Sequence, residues 1–143
     1  MNGALDGKVA IVTGAGRGIG RGIAQELAAN GTRVVVNDAG LTLAGESEGM
    51  SPAAEVVSAI EAAGGQAVSI TESVSTFEGG QRIVQAALDT FGQLDIVVTA
   101  AGILRDRMIY NMTEEEWDAV YEVHLKGTFN VVRHAAPLFR KQR

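Results

Sequence analysis

Short apolar runs recur along the chain, and between them the apolar residues fall at helical spacing. Val9-Ala10-Ile11-Val12, Val34-Val35-Val36 and Ile96-Val97-Val98 are continuous rather than alternating, as expected of strands covered on both faces in a parallel sheet. The pattern predicts strands over Lys8–Thr13, Arg33–Asp38, Gln66–Thr71 and Gln93–Thr99, with Leu94, Ile96, Val97 and Val98 of the last one buried. A first helix is expected over Gly18–Asn30, with Ile23, Ala24, Leu27 and Ala28 on one face and Gly31 closing it. Ser51-Pro52 starts a second, since serine caps well and proline suits the first helical position; it carries Val56, Val57 and Ile60 and ends at Gly64-Gly65. Ser75-x-x-Glu78 reads as a capping box for a helix over Thr76–Phe91. Thr113-x-x-Glu116 is a second box, opening a long helix whose Trp117, Val120, Tyr121, His124, Thr128 and Val131 share one stripe. Residues 39–50 read as a long surface connection. Strands alternating with helices make this an α/β protein.

The stretch Thr13-Gly14-Ala15-Gly16-Arg17-Gly18-Ile19-Gly20 lies between the first strand and the first helix. Glycines let backbone approach an anion closely, and a helix N-terminus offers unpaired N–H groups and a positive dipole end. The loop is therefore read as a pyrophosphate cradle, with Gly14, Arg17, Gly18, Ile19 and Gly20 as candidate cofactor-binding residues. The G-x-G-x-x-G spacing fails because Ile19 stands where a small residue is needed, whereas Thr-Gly-x-x-x-Gly-x-Gly fits through Gly14, Gly18 and Gly20. No Gly-Lys-Ser/Thr follows, which argues against a nucleoside-triphosphate loop.

Asp38 ends the second strand, 18 residues beyond Gly20. An acid there accepts hydrogen bonds from the adenosine ribose hydroxyls and repels a 2′-phosphate, which favours NAD over NADP. Arg17 cuts the other way, because it could pair with that phosphate; Asp38 would face the phosphate directly and is weighted more heavily. Ser73 and Val74 follow the third strand, near where an adenine ring would lie. Ala100, Ala101 and Gly102 follow the fourth, and their small side chains would let a cofactor cross the strand ends.

Composition narrows the function classes. The 143 residues are 46% apolar and 20% charged, with a net charge of −5 and no basic cluster, which argues against nucleic acid. No run approaches a membrane span, and the N-terminus has neither the basic region nor the apolar core of a secretory signal. Cysteine is absent, which excludes disulfides and thiolate metal sites and makes the cytoplasm the default compartment. Glu114, Glu115, Glu116 and Asp118 crowd one helix start, where the dipole favours acids; they read as a solvated helix end, and no metal site is expected.

In combination, Thr-Gly-x-x-x-Gly-x-Gly at 13–20, Asp38, Ala-Ala-Gly at 100–102 and the helix through His124 resemble the short-chain dehydrogenase/reductase family across the whole chain. The resemblance implies a Rossmann-like, doubly wound parallel sheet, of which this chain supplies the first four strands and their flanking helices, an incomplete domain. It also implies an NAD-dependent oxidoreductase transferring hydride between a secondary alcohol and a ketone. The family's usual Asn-Asn-Ala-Gly is Thr99-Ala100-Ala101-Gly102 here, so a bracing side-chain amide is missing. The family's helix asparagine, which holds a water in the proton relay, falls on His124, the candidate catalytic residue; a core histidine is the competing reading. The catalytic serine and the Tyr-x-x-x-Lys pair are absent, since Tyr110 is followed by Glu114 and Tyr121 by Leu125 at that spacing. Without them proton transfer loses roughly 10²–10⁴-fold, so the 143 residues alone are expected to be inactive.

Val36-Asn37-Asp38, Ser73-Val74, the stretch from Gly102 to Arg107 and the stretch from Val123 to Gly127 more narrowly resemble the hydroxyacyl-CoA dehydrogenase segments of peroxisomal multifunctional enzymes type 2. That points to a 3-hydroxyacyl-CoA or steroid-like substrate. Arg105 and Arg107 then face two readings, a CoA phosphate or solvent. Relatives are usually dimers or tetramers that pack through the long helices, so a homo-oligomer is expected of a full-length protein. Two other functions stay open: a non-catalytic dinucleotide-binding or scaffold protein, and an NADPH-dependent 3-oxoacyl reductase, against which Asp38 argues.

Overall fold

The computed structural model describes residues 3–40 and 51–142. Most of the long connection expected over 39–50 lies outside the described residues. In chain order the elements are β1 (Val9–Thr13), α1 (Gly18–Ala29), β2 (Arg33–Asn37), α2 (Pro52–Ala62), β3 (Ala67–Ile70), α3 (Phe77–Phe91) and β4 (Ile96–Thr99). A short 3₁₀ turn at Ile109–Asn111 precedes α4 (Glu114–Tyr121), which passes through a π turn at Glu122–Lys126 into α5 (Gly127–Lys141).

The four strands form one parallel sheet in the order β3-β2-β1-β4. Alternate residues of the continuous apolar runs serve opposite faces. Val9, Ile11 and Val35 pack with Ile83, Ala87 and Val131 of α3 and α5. Val12, Val34 and Val36 pack with Ala24, Val56 and Ile60 of α1 and α2. This is the α/β architecture that the pattern predicts, with the doubly wound parallel sheet that the family resemblance implies. The chain winds outward from β1 through β2 to β3, then returns to place β4 on the other side of β1. The switch point between β1 and β4 is where such sheets bind ligands, at the carboxyl ends of the strands.

Three local expectations are corrected. The cap of α3 is Thr76, not Ser75: the Thr76 Oγ1 accepts from the Gly79 N–H at 2.9 Å. Ser75 is diverted because its hydroxyl pairs with that of Ser73 at 2.7 Å. Leu94, just before β4, is buried as expected, but Ile96, Val97 and Val98 within it are half-buried, because β4 is an edge strand among the described residues. The stripe from Trp117 to Val131 does not face the core as a unit. Val131 is fully buried, while Trp117, Tyr121, His124 and Thr128 are exposed. The π turn holds one residue more than an α turn and so rotates the phase of the helix between α4 and α5. The capping box of α4 is present as read, with Glu116 N–H donating to the Thr113 hydroxyl and Thr113 N–H to the Glu116 carboxylate.

Candidate functional site

Every candidate residue lies at the carboxyl ends of the strands or on the helix leaving them. The glycine loop is packed to its limit. A Cβ on Gly14 would sit 2.5 Å from the Cα of Ala101, and one on Gly20 would sit 2.3 Å from the Gly14 carbonyl oxygen. Gly14 therefore lets the loop touch the Ala-Ala-Gly turn, and Gly20 lets α1 start against the loop. Gly18 is different: its φ is +57° and nothing lies within 4 Å of a Cβ built there, so the backbone is left open toward solvent. Beside it, Ile19 is a large apolar side chain that is 82% exposed among the described residues. Arg17 is exposed at the N-cap of α1.

The loop is tied to its neighbours by bonds from both sides. Ala15 N–H donates to the Asn37 carbonyl at 2.8 Å. Gly16 N–H donates to Oδ2 of Asp38 at 3.0 Å, and Gly40 N–H donates to Oδ1 of the same carboxylate at 2.9 Å. The Asp38 side chain is thus held in place at the end of β2 by two backbone donors. On the other side, the buried Thr13 hydroxyl accepts from the Ala101 N–H at 3.2 Å and fixes the Ala100-Ala101-Gly102 turn above β4. This bond spans the two strands at the switch point.

Ser73 and Val74 lie where β3 runs out. Val74 is buried against Gly127, where a Cβ would come within 2.7 Å of its Cγ2, and its carbonyl accepts from Asn130 Nδ2 at 2.7 Å. Asn37 reaches the same segment, its Nδ2 donating to the carbonyls of Ile70 at 3.2 Å and Glu72 at 2.9 Å.

His124 sits in the π turn, a local widening that recurs at functional sites. It is exposed, so the core-histidine reading is set aside. Its ring lies against Gly102, and Nε2 is 2.9 Å from the carbonyl of Ile103 and 3.2 Å from its N–H. Nε2 donates to the former or accepts from the latter according to tautomer. Thr128 donates its hydroxyl to the His124 carbonyl at 2.8 Å. Arg107 pairs twice with Glu116 Oε1, at 2.9 and 3.2 Å, so its charge is already matched. The Arg107 guanidinium holds the Glu116 carboxyl below the usual range, with the Thr113 N–H contributing further. Among the described residues no His, Cys, Asp or Glu cluster could hold a metal, and no helix is long and apolar enough to cross a membrane.

The structure thus joins the glycine loop, Asp38 and the Ala-Ala-Gly turn into one rim, and brings His124 onto that turn. Thr13 and Asn37 stand within stretches named above but with no linking role given to either side chain, and Asn130 lies outside those stretches. A polar residue at a buried position is their common signal: Asn37 ends an all-valine run, and Asn130 shares the buried face of α5 with Gly127, Val131 and Ala135.

Residues 8–143 match the family model described as short chain dehydrogenase. The mouse peroxisomal multifunctional enzyme type 2 is 47% identical over 138 residues, which cover 96% of this chain and 18% of that protein. A hydroxyacyl-CoA dehydrogenase of Mycobacterium tuberculosis is 44% identical over 136 residues, covering 95% of this chain and 41% of that protein. The crystal structure of a short chain dehydrogenase from Mycobacterium avium superposes with a TM-score of 0.89 at 53% identity, covering 97% of this chain and 48% of the other. The chain spans less than half the length of each of these three relatives.

Proposed function

This chain belongs to the short-chain dehydrogenase family, and from that premise we propose that it forms the cofactor-binding half of an NAD-dependent oxidoreductase acting on secondary alcohols, with a 3-hydroxyacyl-CoA thioester as the substrate class. The observation that carries the proposal is Asp38, a carboxylate fixed by two backbone donors at the end of β2, beside a glycine loop whose open face is at Gly18. The cradle fits a dinucleotide. Gly18 and the first turn of α1 would meet the pyrophosphate with backbone N–H groups. Asp38 would accept from the ribose hydroxyls, Ser73 and Val74 would flank the adenine, and Ile19 with Ala100–Gly102 would border the nicotinamide. The nicotinamide supplies the hydride acceptor when bound.

The chain's own residues orient rather than react. Thr13 holds the turn, and His124 holds Ile103 at the start of the segment leading to Met108 and the 3₁₀ turn. No Tyr-x-x-x-Lys pair occurs in the 143 residues, so no proton acceptor of the family's kind is present. The thioester assignment leans on the printed function of the M. tuberculosis relative. Reduction of NAD by the full-length protein with a 3-hydroxyacyl-CoA tests it, and the 143 residues alone should give none. Turnover of simple secondary alcohols but of no thioester would remove the substrate class and leave the cofactor.

We also propose self-association through α4 and α5. Trp117, Tyr121, Leu125 and Phe129 are each about half-exposed or more and fall four residues apart. Acids at the start of α4 and Arg140 and Lys141 at the end of α5 would match in an antiparallel pair of copies. Light scattering reads the mass. The compartment we propose is the cytoplasm, whereas the mouse relative carries "peroxisomal" in its name; cell fractionation decides between them.

A further inference from the structure

The ladder ends at Ile70, whose carbonyl accepts the Asp38 N–H as well as a side-chain amide, and beyond β3 the carbonyls of Glu72 and Val74 are still captured by side-chain amides. Asn37 Nδ2 takes those of Ile70 and Glu72, and Asn130 Nδ2 takes that of Val74. The two asparagines come from opposite quarters, one from the end of β2 and one from α5, and both are buried, at 1% and 0% exposure. The segment is also tightly seated. A Cβ on Gly79 would lie 2.0 Å from the Ser73 carbonyl oxygen, and one on Gly127 would lie 2.7 Å from Val74.

Asn130 is a costly choice for packing alone. Its Oδ1 is buried with no hydrogen-bond partner among the described residues, a penalty that a leucine of similar size would not carry. Asn37 in addition lends its main-chain carbonyl to the glycine loop, through Ala15 N–H.

We propose that Asn37 and Asn130 are positioning residues for the adenine half of the dinucleotide, extending β3 by side-chain amides so that Ser73 and Val74 stand at a fixed distance from Asp38. The inference rests on the cofactor reading above and deepens it. It places an adenine-affinity determinant on α5, the helix that leaves the His124 turn.

The test is calorimetric titration of AMP into the full-length protein, wild type against Asn130→Leu. AMP affinity should fall by roughly three- to tenfold, the worth of one hydrogen bond. The thermal midpoint should change little, because removal of the orphaned oxygen offsets the loss of the donor to the Val74 carbonyl. With saturating NADH, emission of the bound nicotinamide should be unchanged, because its seat on Ala100–Gly102 is untouched; a general loss of structure would change that emission as well. Should the leucine variant not fold, Asn37→Ser gives the same readout from the other side of the segment. AMP affinity equal to wild type in a folded variant overturns this inference and leaves the cofactor reading standing. Failure of the wild-type protein to bind AMP overturns both.

Discussion

The hydroxyl of Thr13 accepts the Ala101 N–H at 3.2 Å, joining the end of β1 to the turn beyond β4 across 88 positions of sequence. Thr13 is 1% exposed, so the bond is shielded from solvent. Thr13→Val keeps the shape and leaves the Ala101 N–H unmatched. The expected loss is about 1–3 kcal/mol of stability in urea unfolding, with Thr13→Ser close to wild type. Equal midpoints for Val and wild type would show that the bond contributes nothing.

Gly14 and Gly92 separate two costs of an added methyl. Both have positive φ, +61° and +77°, but only at Gly14 would a Cβ strike backbone. Gly92→Ala should cost about 1–2 kcal/mol, the left-handed penalty alone. Gly14→Ala should cost more and also weaken dinucleotide binding, because the Ala-Ala-Gly turn must move. A Gly14→Ala protein that binds NAD as the wild type does would contradict the contact.

The lowered Glu116 carboxyl makes a pH prediction. A glutamate whose folded-state pKa is depressed stabilises the fold fully above its unfolded value of about 4.3, and the contribution is lost as pH falls through the lower folded-state value. Arg107 is the largest cause, so Arg107→Ala should be less stable than wild type at neutral pH and converge with it in acid. Unfolding midpoints measured from pH 7 down to pH 3 check this; a gap that widens on acidification would give the wrong sign.

The sheet, the helices and the glycine loop were legible because each is a local pattern: continuous apolar runs, helical spacing, glycines between a strand and a helix. Asp38 was legible by its distance from that loop. The Thr113–Glu116 box was read correctly because both partners lie within one turn. The neighbouring box was misassigned because Ser75 and Thr76 are both competent caps, and the choice was made by a hydroxyl pair with Ser73 that no helix rule contains. The links through Thr13, Asn37 and Asn130 span 33 to 88 positions, and nothing local announces which carbonyl a buried amide will meet. The π turn at Glu122–Lys126 has no signature in the sequence, and it is why a stripe that looked continuous splits between core and surface.

His124 now has a partner that suggests graded outcomes. In the full-length protein His124→Asn should retain activity, since a short amide can still meet the Ile103 peptide, while His124→Leu should lose much of it. Steady-state rates for the three proteins decide this. Equal rates for Leu and wild type would leave His124 without a part in catalysis.

The central claim is that Asp38 selects the cofactor, and titration of NAD and NADP into the full-length protein tests it most directly. A hydrogen bond to a charged group contributes roughly 1.5–3 kcal/mol, so losing the ribose bonds alone costs about tenfold or more, and repulsion of a 2′-phosphate adds a part that salt screens. The account predicts NAD binding at least tenfold tighter than NADP, a gap that narrows as salt is raised. Asp38→Ala should close most of it while weakening NAD, because the same carboxylate braces Gly16 and Gly40. NADP binding as tightly as NAD in the wild-type protein would contradict the assignment and give the decision to Arg17.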